Sequence, residues 1–342
     1  MGVKGLTNVI SHIAPEAMET TKITTLKGTR IAIDMSLVVY QCLISCRFNA
    51  NAFKDSEGNT TSHISGIFYR FSDYIAKGLI PIAVFDGKPP DEKKATIESR
   101  NKGVKENKNK IEELKKLPQT KEVIKQIEDL DKKTVRMTFK HGEDLKQLLT
   151  LMGIKWYQAD GEAEAGCVWL VKNKYADNVM TEDMDTLPLG APTLVRRKVS
   201  RSAKKDEIVI FHLDKILEKF ELTMDQFIDM CLLCGTDYTP SIPRIGSRTA
   251  LTHIRNNGSL MKTLDNLRSK PSTSNYIIPS NEFYQNAKNI FLRENNDIFD
   301  STCLEKHNLV PVKKANLPKL REYLLSKNFN ESRINSAINK AY

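Results

Sequence analysis

Residues 29–34 read TRIAID, residues 80–86 read IPIAVFD and residues 178–185 read NVMTEDMD. In each, a short apolar run ends at aspartate. Such unbroken runs predict strands buried on both faces, as in a parallel sheet. Working outward, the same pattern predicts strands over 29–33, 80–85, 154–157, 178–180, 193–195 and 207–211. Between them, segments 37–46, 62–76, 140–152 and 164–174 carry apolar residues at spacings of three and four, which predicts helices. Strand–helix alternation of this kind predicts an α/β fold with a mostly parallel central sheet flanked by helices.

Segment 87–136 interrupts the alternation. It is rich in Lys and Glu, with Pro118 between two amphipathic halves, and reads as a helical insertion. From about residue 213 onward the pattern is helical, with a loop at 239–246 and a polar loop at 267–283. The chain divides on this reading into 1–107, 108–139, 140–260 and 261–342.

Composition narrows the function. The 342 residues are 40% hydrophobic, enough for a sizeable core, so a disordered chain is excluded. No apolar stretch reaches the roughly 20 residues that span a bilayer, so no membrane association is expected. The N-terminus lacks the pattern of a secretion signal, and the six cysteines are expected to be reduced. Cys231 and Cys234 form a C-x-x-C with no second pair, which favours core cysteines over zinc ligands. The net charge of +10 is concentrated. Residues 87–136 hold fifteen basic and ten acidic residues, and residues 196–205 hold six basic and no acidic ones. Two such blocks in a folded chain point to a polyanionic partner.

The acids form the complementary signal. Asp34, Asp86, Asp183 and Asp185 follow strands, and sites in open α/β sheets form at the carboxyl ends of strands. Glu162 and Glu164 lie two apart. In extended backbone that spacing aims both to one side, so they belong to the loop entering a helix, where Asp160 or Gly161 can cap it. Asp177 and Glu182 read as turn residues. Carboxylates gathered at one point repel each other unless divalent cations neutralise them. A set of oxygens without histidine selects Mg²⁺ or Mn²⁺, and two such ions suit phosphodiester cleavage. The basic blocks would hold a nucleic acid and the acidic cluster would cut it.

The motifs MGVKGL, IAIDMS, TTSHISGIFYR, VFDGKPP, GEAEA, TEDMDTL and CGTDYTPSIPRIG follow in the order found in flap endonucleases. These are structure-specific 5′ nucleases of the superfamily that includes the xeroderma pigmentosum G nuclease. The resemblance covers about residues 1–260 well and the remainder loosely. It implies a PIN-like nuclease core, a helical arch over 87–136 and a helix–two-turn–helix at SIPRIGSRTA. It implies that Asp34, Asp86, Glu162, Glu164, Asp183, Asp185 and Asp237 hold two Mg²⁺ ions, with Mn²⁺ as a substitute. Lys93 and Arg100 would face the scissile phosphate from the base of the arch. Tyr40, Arg47, Thr61 with its neighbours Thr60 and Ser62, Arg70, Arg196, Arg244, Gly246 and Arg248 would contact DNA, with a K⁺ ion at the helix–two-turn–helix.

Arg244 departs from the pattern, standing where the family usually has glycine. If that position needs φ > 0, Arg costs about 1 kcal/mol there. The sequence ends at INKAY and does not contain the Q-x-x-L-x-x-F-F clamp-binding motif of cellular flap endonucleases, so either recruitment through that motif is absent or the tail that carries it lies outside this sequence. The activity implied is Mg²⁺-dependent 5′ flap cleavage of branched duplex DNA in replication and repair. A monomer is expected, intracellular, and nuclear if the source is eukaryotic. A 5′→3′ exonuclease or gap endonuclease on the same scaffold, and a non-catalytic branched-DNA-binding scaffold, are the alternatives.

Overall fold

The apolar runs form a single sheet in the computed structural model, which describes residues 2–47, 55, 58, 60–198, 206–270, 276–293 and 314–342. The strands are β1 (Met18–Lys22), β2 (Arg30–Asp34), β3 (Ile80–Phe85), β4 (Lys155–Gln158), β5 (Asn178–Met180), β6 (Thr193–Arg197) and β7 (Glu207–His212). Their order is β1-β7-β6-β5-β2-β3-β4. Strands β6, β5, β2, β3 and β4 run parallel, while β7 lies antiparallel to both β6 and β1. Strand β1, sequence METTK, has no apolar run and lies outside the expected set. It joins the edge through its backbone ladder with β7.

The chain runs from β2 out to β3 and β4, then crosses to β5 on the other side of β2. That reversal opens a crevice beyond the carboxyl end of β2.

Side-chain alternation divides the core. Ile31 and Ile33 face one side with Ala83, Phe85 and Val195, and Ala32 faces the other with Ile82, Val84 and Val179. The first face is covered by α2 (Met35–Arg47), α3 (Ser62–Ala76) and α6 (Phe139–Leu151). The second is covered by α7 (Ala163–Lys172). Beyond it α1 (Leu6–Ile13), α8 (Leu213–Phe220), α9 (Met224–Cys234), α10 (Ser247–Asn257), α11 (Leu260–Ser269) and α12 (Asn281–Leu292) enclose the largest apolar cluster on that side. Two last helices, α13 (Leu317–Ser326) and α14 (Glu331–Ala341), return to the first face and pack on α6 and α3.

The insertion forms a helical pair, α4 (Lys94–Lys115) and α5 (Lys121–Lys132), that breaks at Pro118. The Thr120 hydroxyl accepts from Val123 N and starts α5. Among the described residues of the two helices only Ile111 is buried, so the arch is held by its ends and by mutual packing. Helix α11 extends into the expected polar loop, and α12 begins at Asn281 within it.

Cys42, Cys167, Cys231 and Cys234 are buried, and Cys231 and Cys234 pack in the apolar core, as their single C-x-x-C suggested. Burial pushes Cys234 up to about 12, away from the thiolate a metal needs. Side chains of Cys46 and Cys303 lie outside the described residues. No helix of the described residues is long and apolar enough to cross a membrane.

Candidate active site

The carboxylates gather at the crevice from separate elements. Asp34 closes β2 and is 1% exposed. It accepts from Ser36 N at 2.9 Å and from the Thr181 hydroxyl at 3.0 Å. Burial, then the Asp86 charge, push its pKa up to about 7. Asp86 follows β3. Its Oδ1 accepts from Ala163 N at 2.8 Å, and its Oδ2 accepts from the Ser36 hydroxyl. The next residue must be glycine, because a Cβ on Gly87 would stand 1.9 Å from the Ala159 carbonyl oxygen.

Glu162 takes the N-cap position of α7 in extended backbone, and Glu164 lies in the first turn. The expected cap at Asp160 or Gly161 is therefore corrected by one or two residues. Glu162 itself makes no side-chain cap, because its two oxygens are engaged by Lys93 and by the Tyr238 hydroxyl. Burial raises the Glu164 pKa well above the carboxylate range, and Asp34, Glu162, Asp183 and Asp86 add to it.

Asp183 caps a short 3₁₀ turn after β5 and Asp185 lies within it, where Asp183 Oδ1 accepts from Asp185 N at 3.0 Å. Both are buried, and burial raises both pKa values. Asp185 Oδ1 is buried with no hydrogen-bond partner. Gly2, at φ 80°, runs its backbone against this pair, leaving no room for a Cβ.

Asp237 follows α9. Burial would raise its pKa, but Lys93 and Arg100 hold the carboxylate below its usual range. Arg100 lies 2.7 Å from one oxygen and 2.8 Å from the other, and Lys93 Nζ is 3.2 Å from Oδ2. Lys93 thus bridges Glu162 and Asp237. These carboxylates keep its ammonium charged against the pull of burial.

Tyr238 is a member that sequence reasoning missed. Its hydroxyl donates to Glu162 Oε2 and its ring lies 5.9 Å from Lys93 Nζ. Burial, then the Glu162 charge, raise its pKa and keep it a neutral donor. The only sequence signal was its place beside Asp237 in CGTDY. A cavity of about 250 Å³ opens among Lys93, Glu162, Glu164, Asp185 and Tyr238.

Among the described residues, no three carboxylates are drawn to one point at ligating distance. Lys93 and Arg100 stand against Glu162 and Asp237 instead. The donor set still fits a hard divalent cation. It is all oxygen, largely buried and mutually repelling, and it includes a buried oxygen without a partner.

The remaining expected contacts scatter. Tyr40, on α2, is half-buried, and its hydroxyl donates to the Lys132 carbonyl at 3.4 Å, at the end of the arch. Arg47 ends α2, with its side chain outside the described residues. Thr60 is exposed and Thr61 and Ser62 are buried at the start of α3, with Thr61 Oγ1 unpartnered. Arg70 donates to Gln41 at 3.1 Å. Arg196 is half-buried and bonds Glu182 at 3.2 Å and Thr7 at 3.1 Å, so much of its guanidinium is already engaged. Glu182 and Asp177 serve structural pairs, with Arg196 and Arg30, as their turn reading suggested. Of the basic block at 196–205, residues 199–205 lie outside the described residues.

In the loop before α10, Arg244 adopts φ 62°, the left-handed conformation that glycine takes without cost. Arg244 and Arg248 are both exposed, and Gly246 takes the N-cap of α10 in extended backbone.

Known proteins share this fold and much of this sequence. Family profiles described as the XPG N-terminal domain and the XPG I-region match residues 1–107 and 153–237. Flap endonuclease 1-A of Sorghum bicolor is 40% identical over 345 residues, covering 99% of this chain and 86% of that one. The solved flap endonuclease-1 of Methanococcus jannaschii superposes with a TM-score of 0.67 at 25% identity over 95% of each chain. The Holliday junction-resolving enzyme GEN1 in complex with product DNA and a Mg²⁺ ion shares the fold, with a TM-score of 0.66 at 19% identity, over 98% of this chain and 78% of that one. A structure of GEN-1 binding potassium gives 0.65 at 19%, with the same coverage. The two profile matches and the 40% identity over nearly the whole chain show that the chain belongs to the flap endonuclease family of XPG-type nucleases.

Proposed function

We propose that the protein is a Mg²⁺-dependent, structure-specific 5′ flap endonuclease that hydrolyses one phosphodiester at the junction of branched duplex DNA. The observation that carries this reading is the face-to-face placement of Lys93 and Arg100, at the base of the arch, against the crevice carboxylates Glu162 and Asp237. Asp34, Asp86, Glu162, Glu164, Asp183, Asp185 and Asp237 would hold two divalent ions. When bound, such ions activate water and offset charge on the phosphate.

The chain's own residues supply the rest. Lys93 and Arg100 present fixed cations where phosphate charge develops, which needs no solvent reorganisation. A single strand would pass beside these cations at the base of the arch. Arg244 and Arg248 offer two cations to the duplex backbone, and a K⁺ ion beside Gly246 would add a third. GEN1, which shares the fold, is solved with product DNA and Mg²⁺ and also with potassium, which supports both assignments. Flaps of this kind arise in DNA replication and repair, and we assign the enzyme to those processes.

The test is a double-flap DNA labelled at its 5′ end, incubated with the protein and Mg²⁺ and sized at nucleotide resolution. An intact flap released by the wild type and not by Asp183→Asn is expected. No cleavage, or equal cleavage by the variant, would refute the proposal, and mononucleotide products would replace it with a 5′→3′ exonuclease.

A further inference from the structure

Glu162 is engaged on both oxygens by groups of different kinds. Lys93 bonds Oε1 and carries a charge. Tyr238 donates to Oε2 and carries none. The lysine neutralises the carboxylate, whereas the phenol orients it and leaves its charge available to a cation.

Tyr238 is itself fixed. Its backbone N donates to Thr236 Oγ1 at 3.1 Å, within a turn closed by Thr236 N to the Thr239 carbonyl at 3.0 Å. The Thr239 hydroxyl ties that turn to the Leu232 carbonyl of α9 at 3.0 Å. The ring packs edge-on against Phe291 of α12, with centroids 5.5 Å apart, and Phe291 is buried in the apolar cluster beneath. The hydroxyl is therefore delivered to Glu162 by a side chain with little rotamer freedom, the arrangement that orients metal ligands from behind.

We propose that Tyr238 is the positioning residue of Glu162, holding Oε2 in place whether the charge on this carboxylate is met by Lys93 or by a divalent ion. Through Phe291, α12 thereby braces the acidic crevice. This rests on the reading of that crevice as a divalent-metal site.

The test uses the full chain and the variant Tyr238→Phe, which removes one hydroxyl and keeps the ring against Phe291. Mn²⁺ binding to the DNA-free protein, followed by electron paramagnetic resonance, is expected to weaken about tenfold to a hundredfold. The kcat on flap DNA should fall at low Mg²⁺ and recover as Mg²⁺ is raised, with KM for DNA and the melting temperature unchanged. In a Glu162→Gln background the same substitution should have no further effect on Mn²⁺ binding, because its target is gone. Wild-type Mn²⁺ affinity in Tyr238→Phe, or an equal loss in both backgrounds, would overturn the proposal while leaving flap cleavage intact. A wild-type protein that neither binds Mn²⁺ nor cuts would overturn both this inference and the function it rests on.

Discussion

Arg100, in the second turn of α4, lies within 2.8 Å of both carboxylate oxygens of Asp237, 137 residues further along the chain. Without nucleic acid, the cations of the arch are thus counterions of the acids they face. On the proposed function, a phosphate entering the crevice would take over a cation already in position, and that exchange would tie arch and crevice together.

Arg100→Ala and Lys93→Ala should each lower the single-turnover cleavage rate about 10²- to 10³-fold, the loss seen when one fixed charge or donor leaves a transition state. Flap-DNA affinity should change far less, since many other cations contribute. Rapid-quench kinetics beside a binding titration check the split, and equal losses in both would contradict it.

Gly87→Ala should open the crevice by force. The added Cβ would meet the Ala159 carbonyl at 1.9 Å, so the segment carrying Asp86 must move from the segment leading to Glu162. Overpacking of this kind costs about 1–3 kcal/mol. Denaturant unfolding should show that loss with an unchanged m-value, together with reduced cleavage.

Asp34 sets a pH dependence. Its pKa stands near 7 in the fold, against 3.8 as the ordinary value. Below about pH 4 it is protonated in both states and costs nothing. As pH rises toward 7 the unfolded chain ionises first, so the metal-free fold loses stability through that window and no further above it. Asp34→Asn lacks this loss, so its stability advantage over wild type should grow between pH 4 and 7, to on the order of a few kcal/mol. Thermal melts across that range measure the gap, and a gap independent of pH would contradict the assignment.

Arg244→Gly separates strain from charge. At φ 62° the arginine costs up to about 1 kcal/mol that glycine would not. The variant should melt no lower than wild type, yet bind duplex DNA more weakly. Its salt dependence, plotted logarithmically, should be shallower by about 0.9. A lower melting temperature with an unchanged slope would show that Arg244 holds the loop instead of the phosphate.

The parallel strands were legible because burial on both faces leaves an unbroken apolar run, and the runs of β2, β3 and β5 lead into aspartates of the crevice. Strand β1 was not legible. METTK is half exposed and pairs through its backbone, which leaves no side-chain pattern. The acids could be listed from motifs, but not the partners that set their charge. Lys93 meets Glu162 across 69 residues, a relation local spacing does not carry. Arg196 shows the converse. Counted in a positive block it looked available, yet Glu182 lies beside it in the fold. Tyr238 carried no signal of its own, because its hydroxyl finds a partner only when α7 and the end of α9 come together.

The last two helices carry a consequence for synthesis. Leu320, Tyr323 and Leu324 of α13, and Ile334 and Ile338 of α14, belong to the same apolar cluster as Ile64, Phe68 and Phe71 of α3. The face of α3 that meets them stays uncovered while the intervening two hundred and more residues are translated. A ribosome-bound chain therefore carries an exposed apolar surface until those two helices emerge. The nuclease half completes its core only once residues 317–341 have left the exit tunnel. Chaperone dependence should accordingly be decided as those residues emerge.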